Sequence, residues 1–120
     1  KAIKQVYADR EALTKIITNL LDNAIKYGDG IVNLSAMHDS TSGTVQIRVA
    51  SNGPLIAKED REKVFETFTR LKQNKSQSGT GIGLALSKSL ALLHRGTLQL
   101  QAINGLNVFV LTLPAPPQEM

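Results

Sequence analysis

Three glycines alternate with other residues over positions 79–83, and the chain then continues into an apolar pattern typical of a helix. The glycines are Gly79, Gly81 and Gly83, and apolar residues recur at i, i+4, i+8 and i+11 from Ile82. A helix start carries unpaired N–H groups and partial positive charge, so bare glycine backbone ahead of a helix favours an anion such as phosphate. No Gly-Lys-Ser/Thr follows, which excludes a P-loop, and no strand pattern precedes. Taken alone, the pattern leaves a flexible connector open.

Two asparagines and a lysine form a second polar group, on the helical pattern of residues 9–27. Asn19 and Asn23 are four residues apart and Lys26 follows, so the three share one face of the helix, with Tyr27 between that face and the apolar stripe. Asparagine disfavours helix interiors, because its side chain competes for backbone groups. Amide oxygens and an ammonium suit a hydrated Mg²⁺ and phosphate oxygens. A solvated helix flank is the alternative.

The segment 69–78 is cationic and almost without apolar residues, so it cannot anchor itself in a core. It contains Arg70 and directly precedes the glycines. Either it is a plain surface loop, or it is a cationic lid over a polyphosphate.

Composition bounds the classes of protein that this chain can belong to. The chain has 120 residues, 42% of them hydrophobic and 20% charged, with a net charge of +4 and no cysteine. These values predict one domain with one core, and they exclude disulfide frameworks and thiolate metal sites. Only 4% of residues are aromatic, and none is Trp, so we do not expect nucleic acid as a partner. Because the sequence begins with Lys1 rather than Met, we expect a piece of a longer protein.

The elements that must position these residues follow from periodicity and from turn residues. Asp9 is the expected N-cap of the first helix, which should end at Gly28. A short helix is predicted over residues 58–68, and a last helix from Gly81 to about His94, with Gly96 as its C′ residue. Strands are predicted over residues 3–8, 31–37, 44–50, 97–103 and 108–113. Asn104 and Gly105 predict a hairpin between the last two.

The order of these pieces resembles the catalytic domain of bacterial sensor histidine kinases. Residues 19–27 resemble the N box of that family, and residues 51–56 resemble a degraded first glycine box. Residues 65–68 resemble its F box, and residues 79–87 its second glycine box. The resemblance implies an α+β fold of the Bergerat type: a two-layer sandwich in which a mixed sheet of about five strands is covered on one face by three helices. It assigns residues 1–113 to this domain and residues 114–120 to a tail or linker.

The resemblance also implies ATP and Mg²⁺ as cofactors. Asn23 would ligate Mg²⁺, Asn19 would line the phosphate site, Lys26 would touch phosphate, and Tyr27 would pack beside the nucleotide. The further nucleotide-binding residues that it implies are Ser51, Asn52, Gly53, Ile56, Arg70, Gly79, Thr80, Gly81, Ile82, Gly83 and Leu84.

The implied reaction is phosphoryl transfer from ATP to a histidine in a separate dimerisation domain. The related ATPases carry a glutamate at the position of Asn19 to activate water, and an amide cannot act as that base. The implied partners are the dimerisation and histidine-phosphotransfer domain of the same protein and a response-regulator receiver domain, in the same chain if the protein is a hybrid sensor. We expect a monomeric domain, a homodimeric full-length protein, and a place in the cytoplasmic portion of an inner-membrane sensor.

Two residues depart from the family pattern in the first glycine box. The family has an aspartate that accepts a hydrogen bond from the adenine amino group where this chain has Ser51, and a glycine where it has Leu55. Hydrogen bonds to charged groups are worth about 1.5–3 kcal/mol and neutral ones about 0.5–1.5, so ATP affinity could fall about tenfold. A degenerate, non-catalytic version of the fold that docks a partner protein therefore stays open.

Overall fold

The computed structural model describes residues 9–66 and 83–115 as a two-layer α+β arrangement. Four antiparallel strands form one sheet in the order β1-β2-β4-β3. The strands are β1 (Val32–Asp39), β2 (Thr44–Ser51), β3 (Thr97–Ile103) and β4 (Leu106–Pro114), and the helices are α1 (Arg10–Tyr27) and α2 (Gly83–Leu93). The sandwich predicted from the sequence is confirmed. The predicted strand over residues 3–8 lies outside the described residues, so the fifth strand and the mixed sheet stay predictions.

Helix α1 begins and ends where the sequence predicts. The Asp9 carboxylate accepts a hydrogen bond from the backbone N–H of Ala12 at 3.1 Å, which satisfies one of the unpaired donors of the first turn. The Gly28 N–H donates to the Ala24 carbonyl at 2.8 Å and closes the last turn. The buried face consists of Ala12, Ile16, Leu20 and Ala24.

The core lies between the two helices and one face of the sheet. Buried residues alternate along β2, as expected of a sheet with one face in the core, whereas residues 108–111 of β4 are all buried. The strand residues of the core are Val45, Ile47, Val49, Leu98, Leu100, Phe109, Leu111 and Leu113. Helix α1 supplies Ile16, Leu20 and Ala24 to the same cluster, and α2 supplies Ala91.

The hairpin between β3 and β4 turns at the two residues that predicted it. Asn104 has φ 53° and Gly105 has φ 77°, so both central residues adopt the left-handed conformation of a type I′ turn. This turn fixes the register in which Ile103 pairs with Leu106. The prediction is confirmed, although β4 begins two residues earlier than expected.

The helix predicted over residues 58–68 is wrong for the part that the structure describes. Two 3₁₀ helices, Lys58–Asp60 and Lys63–Phe65, occupy this stretch, and Glu66 is extended. Most side chains between residues 58 and 66 are charged, so an α-helix would have no apolar stripe to bury and little tertiary stabilisation. Phe65 alone is buried there, with its ring edge-on to Phe109 at 6.0 Å.

The left-handed residue that ends α2 lies one position earlier than predicted. Arg95, not Gly96, takes the left-handed C′ position, with φ 64°. The Gly96 N–H donates to Ala91 at 2.8 Å and the Arg95 N–H to Leu92 at 3.0 Å, which is the hydrogen-bond pattern of a Schellman motif. Gly96 is therefore the C″ residue, and glycine is required there because a Cβ would overlap the Thr112 carbonyl oxygen.

Candidate functional site

The polar face of α1 is turned toward the start of α2. The Asn19 amide donates from Nδ2 to the Gly83 carbonyl at 3.2 Å and to Ser87 Oγ at 3.1 Å. Ser87 Oγ in turn donates to the Gly83 carbonyl at 3.0 Å. The predicted asparagine face and the predicted glycine-to-helix junction are thus brought into direct contact across 64 residues of sequence.

These contacts fix the orientation of the Asn19 amide. A backbone carbonyl can only accept, so the atom of Asn19 that faces Gly83 must be the NH₂ group. The remaining polar atom, Oδ1, is an acceptor. Asn19 is therefore disposed to accept from a water or to ligate a cation, rather than to donate to a phosphate oxygen.

Asn23 and Lys26 continue the same face toward the C-terminal end of α1. Both side chains are half-buried, beside the exposed Asp22. Lys26 Nζ lies 3.1 Å from Asp22 Oδ2, an i,i+4 pair of which the lysine is 34% and the aspartate 60% exposed. Such an exposed pair adds little stability.

The loop that follows β2 lies against the C-terminal end of α1. Ser51, the last residue of β2, is buried, and Gly53 has φ 128°, which side-chain-bearing residues rarely adopt. A Cβ added at Gly53 would lie 3.2 Å from the Tyr27 carbonyl oxygen. The loop and the backbone of Tyr27 are therefore close. Ile56, at the far end of the loop, packs against the core.

Asn52 uses its side chain within the protein. Its Oδ1 accepts from the backbone N–H groups of Asp29 at 3.2 Å and Ile31 at 2.9 Å. These bonds tie the loop after β2 to the connection between α1 and β1. The side-chain carbonyl of Asn52 thus holds the shape of the loop.

Five of the predicted nucleotide-binding residues lie outside the described residues: Arg70, Gly79, Thr80, Gly81 and Ile82. Of the others in the glycine segment, Gly83 is the first residue of α2, and Leu84 is partly buried against the core.

Three residues that organise this region were not predicted from the sequence. Ser87 is fully buried under the Asn19 contact. Lys88 places Nζ 4.8 Å from the centre of the Phe65 ring and 3.5 Å from Glu62, so it joins α2 to the stretch before residue 67. Asn107 binds the loop after β2. A hydrophobicity pattern gives no signal for such residues, because their partners are distant in sequence.

We expect Ser87→Ala to lower the free energy of unfolding by about 1–2 kcal/mol, because it removes a buried acceptor of the Asn19 amide. Urea denaturation measures the change. Ser89→Ala, on the exposed side of the same helix, is the matched control and should change stability by less than about 0.5 kcal/mol. Equal effects of the two substitutions would contradict the role of the Ser87 hydroxyl.

Known proteins are similar to this chain over most of its length. A family model described as histidine kinase-, DNA gyrase B-, and HSP90-like ATPase matches residues 8–117. The adaptive-response sensory kinase SasA of Crocosphaera subtropica is 39% identical over 112 residues, which cover 91% of this chain and 29% of that protein. The chain therefore spans less than a third of the length of this curated relative.

Solved structures share the fold. The mycobacterial sensor histidine kinase MprB aligns with a TM-score of 0.85 and 29% identity, covering 95% of this chain and 79% of that one. Full-length ShkA in complex with AMPPNP aligns with a TM-score of 0.81 and 28% identity, covering 98% of this chain and 24% of that one.

Proposed function

Because this chain belongs to the family of histidine kinase-, DNA gyrase B-, and HSP90-like ATPases, we propose that it is the ATP-binding catalytic domain of a sensor histidine kinase. The observation that carries the proposal is the contact of Asn19 with Gly83 and Ser87. It brings an amide-rich helix face to the start of a second helix, where a polyphosphate and its cation can be held together. The complex of the similar ShkA with AMPPNP supports a nucleotide as the ligand.

The donor set of this face fits a magnesium triphosphate. Asn23 offers an amide oxygen to Mg²⁺, and Asn19 offers Oδ1, since its NH₂ group is already bonded. Lys26 would exchange Asp22 for a phosphate oxygen. When bound, Mg²⁺ neutralises phosphate charge, and the described side chains hold and orient the triphosphate.

The proposed base site lies at the C-terminal end of α1. Tyr27 is eight residues from Asn19, about 12 Å along the helix axis, and Lys26 directly precedes Tyr27. Ser51, Gly53 and Ile56 would form the base side, and Arg70 and residues 79–82 would contribute on the phosphate side.

The proposed reaction is transfer of the γ-phosphoryl group to a histidine outside this domain. Asn19 cannot activate water as a base, so hydrolysis is disfavoured relative to transfer. Neither histidine of the chain suits the acceptor role. His94 Nδ1 lies 2.7 Å from the Leu90 carbonyl at the end of α2, and His38 is on strand β1.

The partners follow from the proposed reaction. They are a dimerisation domain that carries the histidine and a response-regulator receiver domain, in a homodimeric full-length protein that we place at the inner membrane. None of the helices in residues 9–66 and 83–115 is both long enough and apolar enough to cross a membrane.

Two departures from the family pattern favour a second candidate, a docking module without catalysis. Ser51 stands where the family has an adenine-binding aspartate, and Leu55, 49% exposed, stands where it has a glycine. The same fold could then serve only to bind a partner protein.

Nucleotide titration separates the two candidates. We expect saturable, Mg²⁺-dependent binding of a non-hydrolysable ATP analogue to the 120-residue chain in isothermal titration calorimetry, and weaker binding of the GTP analogue. A dissociation constant of about 1 mM corresponds to a binding free energy of about −4 kcal/mol. If no heat of binding is detected up to about that ligand concentration, the result contradicts the kinase proposal and favours the docking module.

A further inference from the structure

A single side chain of β4 holds the loop that follows β2. Asn107 donates from Nδ2 to the Pro54 carbonyl at 3.0 Å, and its Oδ1 accepts from the Ile56 N–H at 3.0 Å. The two bonds bracket Leu55, so the amide binds this stretch of backbone as a neighbouring peptide group in a sheet would. Arg61 Nε extends the attachment by donating to the Ile56 carbonyl at 3.3 Å.

Asparagine is the residue type that these two bonds require. The loop presents one acceptor and one donor, and a carboxamide supplies the complementary donor and acceptor at one position. An aspartate would set a second acceptor against the Pro54 carbonyl. A serine is too short to reach both groups.

The position of Asn107 connects this attachment to the proposed site. Asn107 is the cross-strand partner of Ser51, the buried residue at the end of β2. Asn52 fixes the near end of the loop to Asp29 and Ile31, and Asn107 fixes its far end. The segment 52–56 is thus held at both ends beside Tyr27.

We propose that Asn107 is a positioning residue that sets base recognition, by holding residues 54–56 in the shape that the base side of the nucleotide site requires. Both polar atoms of its amide bond the loop, and the proposed effect on the base is exerted through the loop. The inference rests on the proposed function.

The test compares a ligand with a base and a ligand without one. The 120-residue chain and its Asn107→Asp variant are titrated with Mg²⁺ and a non-hydrolysable ATP analogue, and separately with Mg²⁺ and tripolyphosphate. We expect the dissociation constant of the ATP analogue to rise about tenfold and that of tripolyphosphate to stay unchanged. Asn33→Asp, the same chemical change at an exposed position of β1, is the matched control and should alter neither.

If the Asn107→Asp variant does not fold, the Asn107→Ser variant is titrated with the same two ligands. Binding of tripolyphosphate shows that a variant is folded. Equal weakening of both ligands would overturn the proposal, because a general loss of structure does not distinguish them. Unchanged affinity for the ATP analogue would overturn it as well. A parent chain that binds no ATP analogue would instead refute the proposed function, an outcome visible without any variant.

Discussion

Asn23→Ala should abolish the Mg²⁺-dependent part of ATP binding while leaving the fold intact. The side chain is half-buried on the face of α1 that carries Asn19, and its amide oxygen is the proposed ligand of Mg²⁺. Loss of groups that merely support a metal ligand costs about 10–100-fold in affinity, so loss of the ligand itself should cost about 100-fold or more. Alanine is the better helix former, and α1 should therefore not lose stability.

The measurement is a calorimetric titration of an ATP analogue, with Mg²⁺ and with EDTA. In EDTA the parent chain should bind as weakly as the variant, because the substitution and the chelator remove the same interaction. Asn33→Ala, an exposed asparagine of β1, is the control and should bind as the parent does. An Asn23→Ala chain whose affinity still rises with Mg²⁺ would show that the ion is held elsewhere.

Asn23 is a cleaner probe than Asn19, because Asn19 has two functions at once. Its NH₂ group bonds Gly83 and Ser87, so Asn19→Ala would loosen the start of α2 as well as the site. A loss of binding in that variant could not be assigned to the ligand contact alone.

The parts of the fold that local sequence predicted are those that local interactions determine. Asp9 caps α1 through a bond to Ala12, three residues away, and the turn at Asn104 and Gly105 depends on their own φ angles. Both were predictable because the residues responsible are neighbours in the chain. The asparagine face of α1 was predictable for the same reason, since helical spacing alone puts Asn19 and Asn23 together.

The buried face of helix α2 could not be predicted from local sequence. The apolar spacing that predicted the helix runs through Leu86 and Leu93, yet Leu86 is 43% and Leu93 is 77% exposed. The buried face is instead made of Ser87 and Ala91, whose small side chains let α2 approach its neighbours closely. The buried Ser87 hydroxyl donates to the Gly83 carbonyl within the helix and accepts from Asn19, 68 residues away, and no local pattern encodes the second bond.

The attachment of the loop after β2 was unpredictable for the same physical reason. Asn107 follows a hairpin turn, where a polar residue needs no special explanation. Its partners, at Pro54 and Ile56, are more than 50 residues away and become neighbours only when β2 and β4 pair.

Gly96→Ala should be the most destabilising single-methyl change outside the proposed site. From the sequence, Gly96 is predicted to be the left-handed C′ residue of α2, but Arg95 occupies that position. The structure gives a steric reason instead. A Cβ at Gly96 would overlap the Thr112 carbonyl oxygen and lie 2.8 Å from Cδ2 of Leu113.

Neither obstacle can move cheaply. Thr112 pairs with both Gln46 and Thr97 in the sheet, and Leu113 is 1% exposed in the core. Overpacking of this kind costs about 3 kcal/mol at the upper end of its usual range, which lowers the melting temperature of a domain of this size by about 10 °C.

Gly30→Ala separates steric overlap from backbone strain, because Gly30 has φ 97° but nothing within 4 Å of an added Cβ. Its cost should be the strain alone, about 1–2 kcal/mol. Thermal unfolding of the two variants therefore ranks the two causes: we expect the larger loss at Gly96, where φ is ordinary and space is lacking. If Gly30→Ala proved the more destabilising, the close approach of the α2–β3 junction to β4 would not be what selects glycine at position 96.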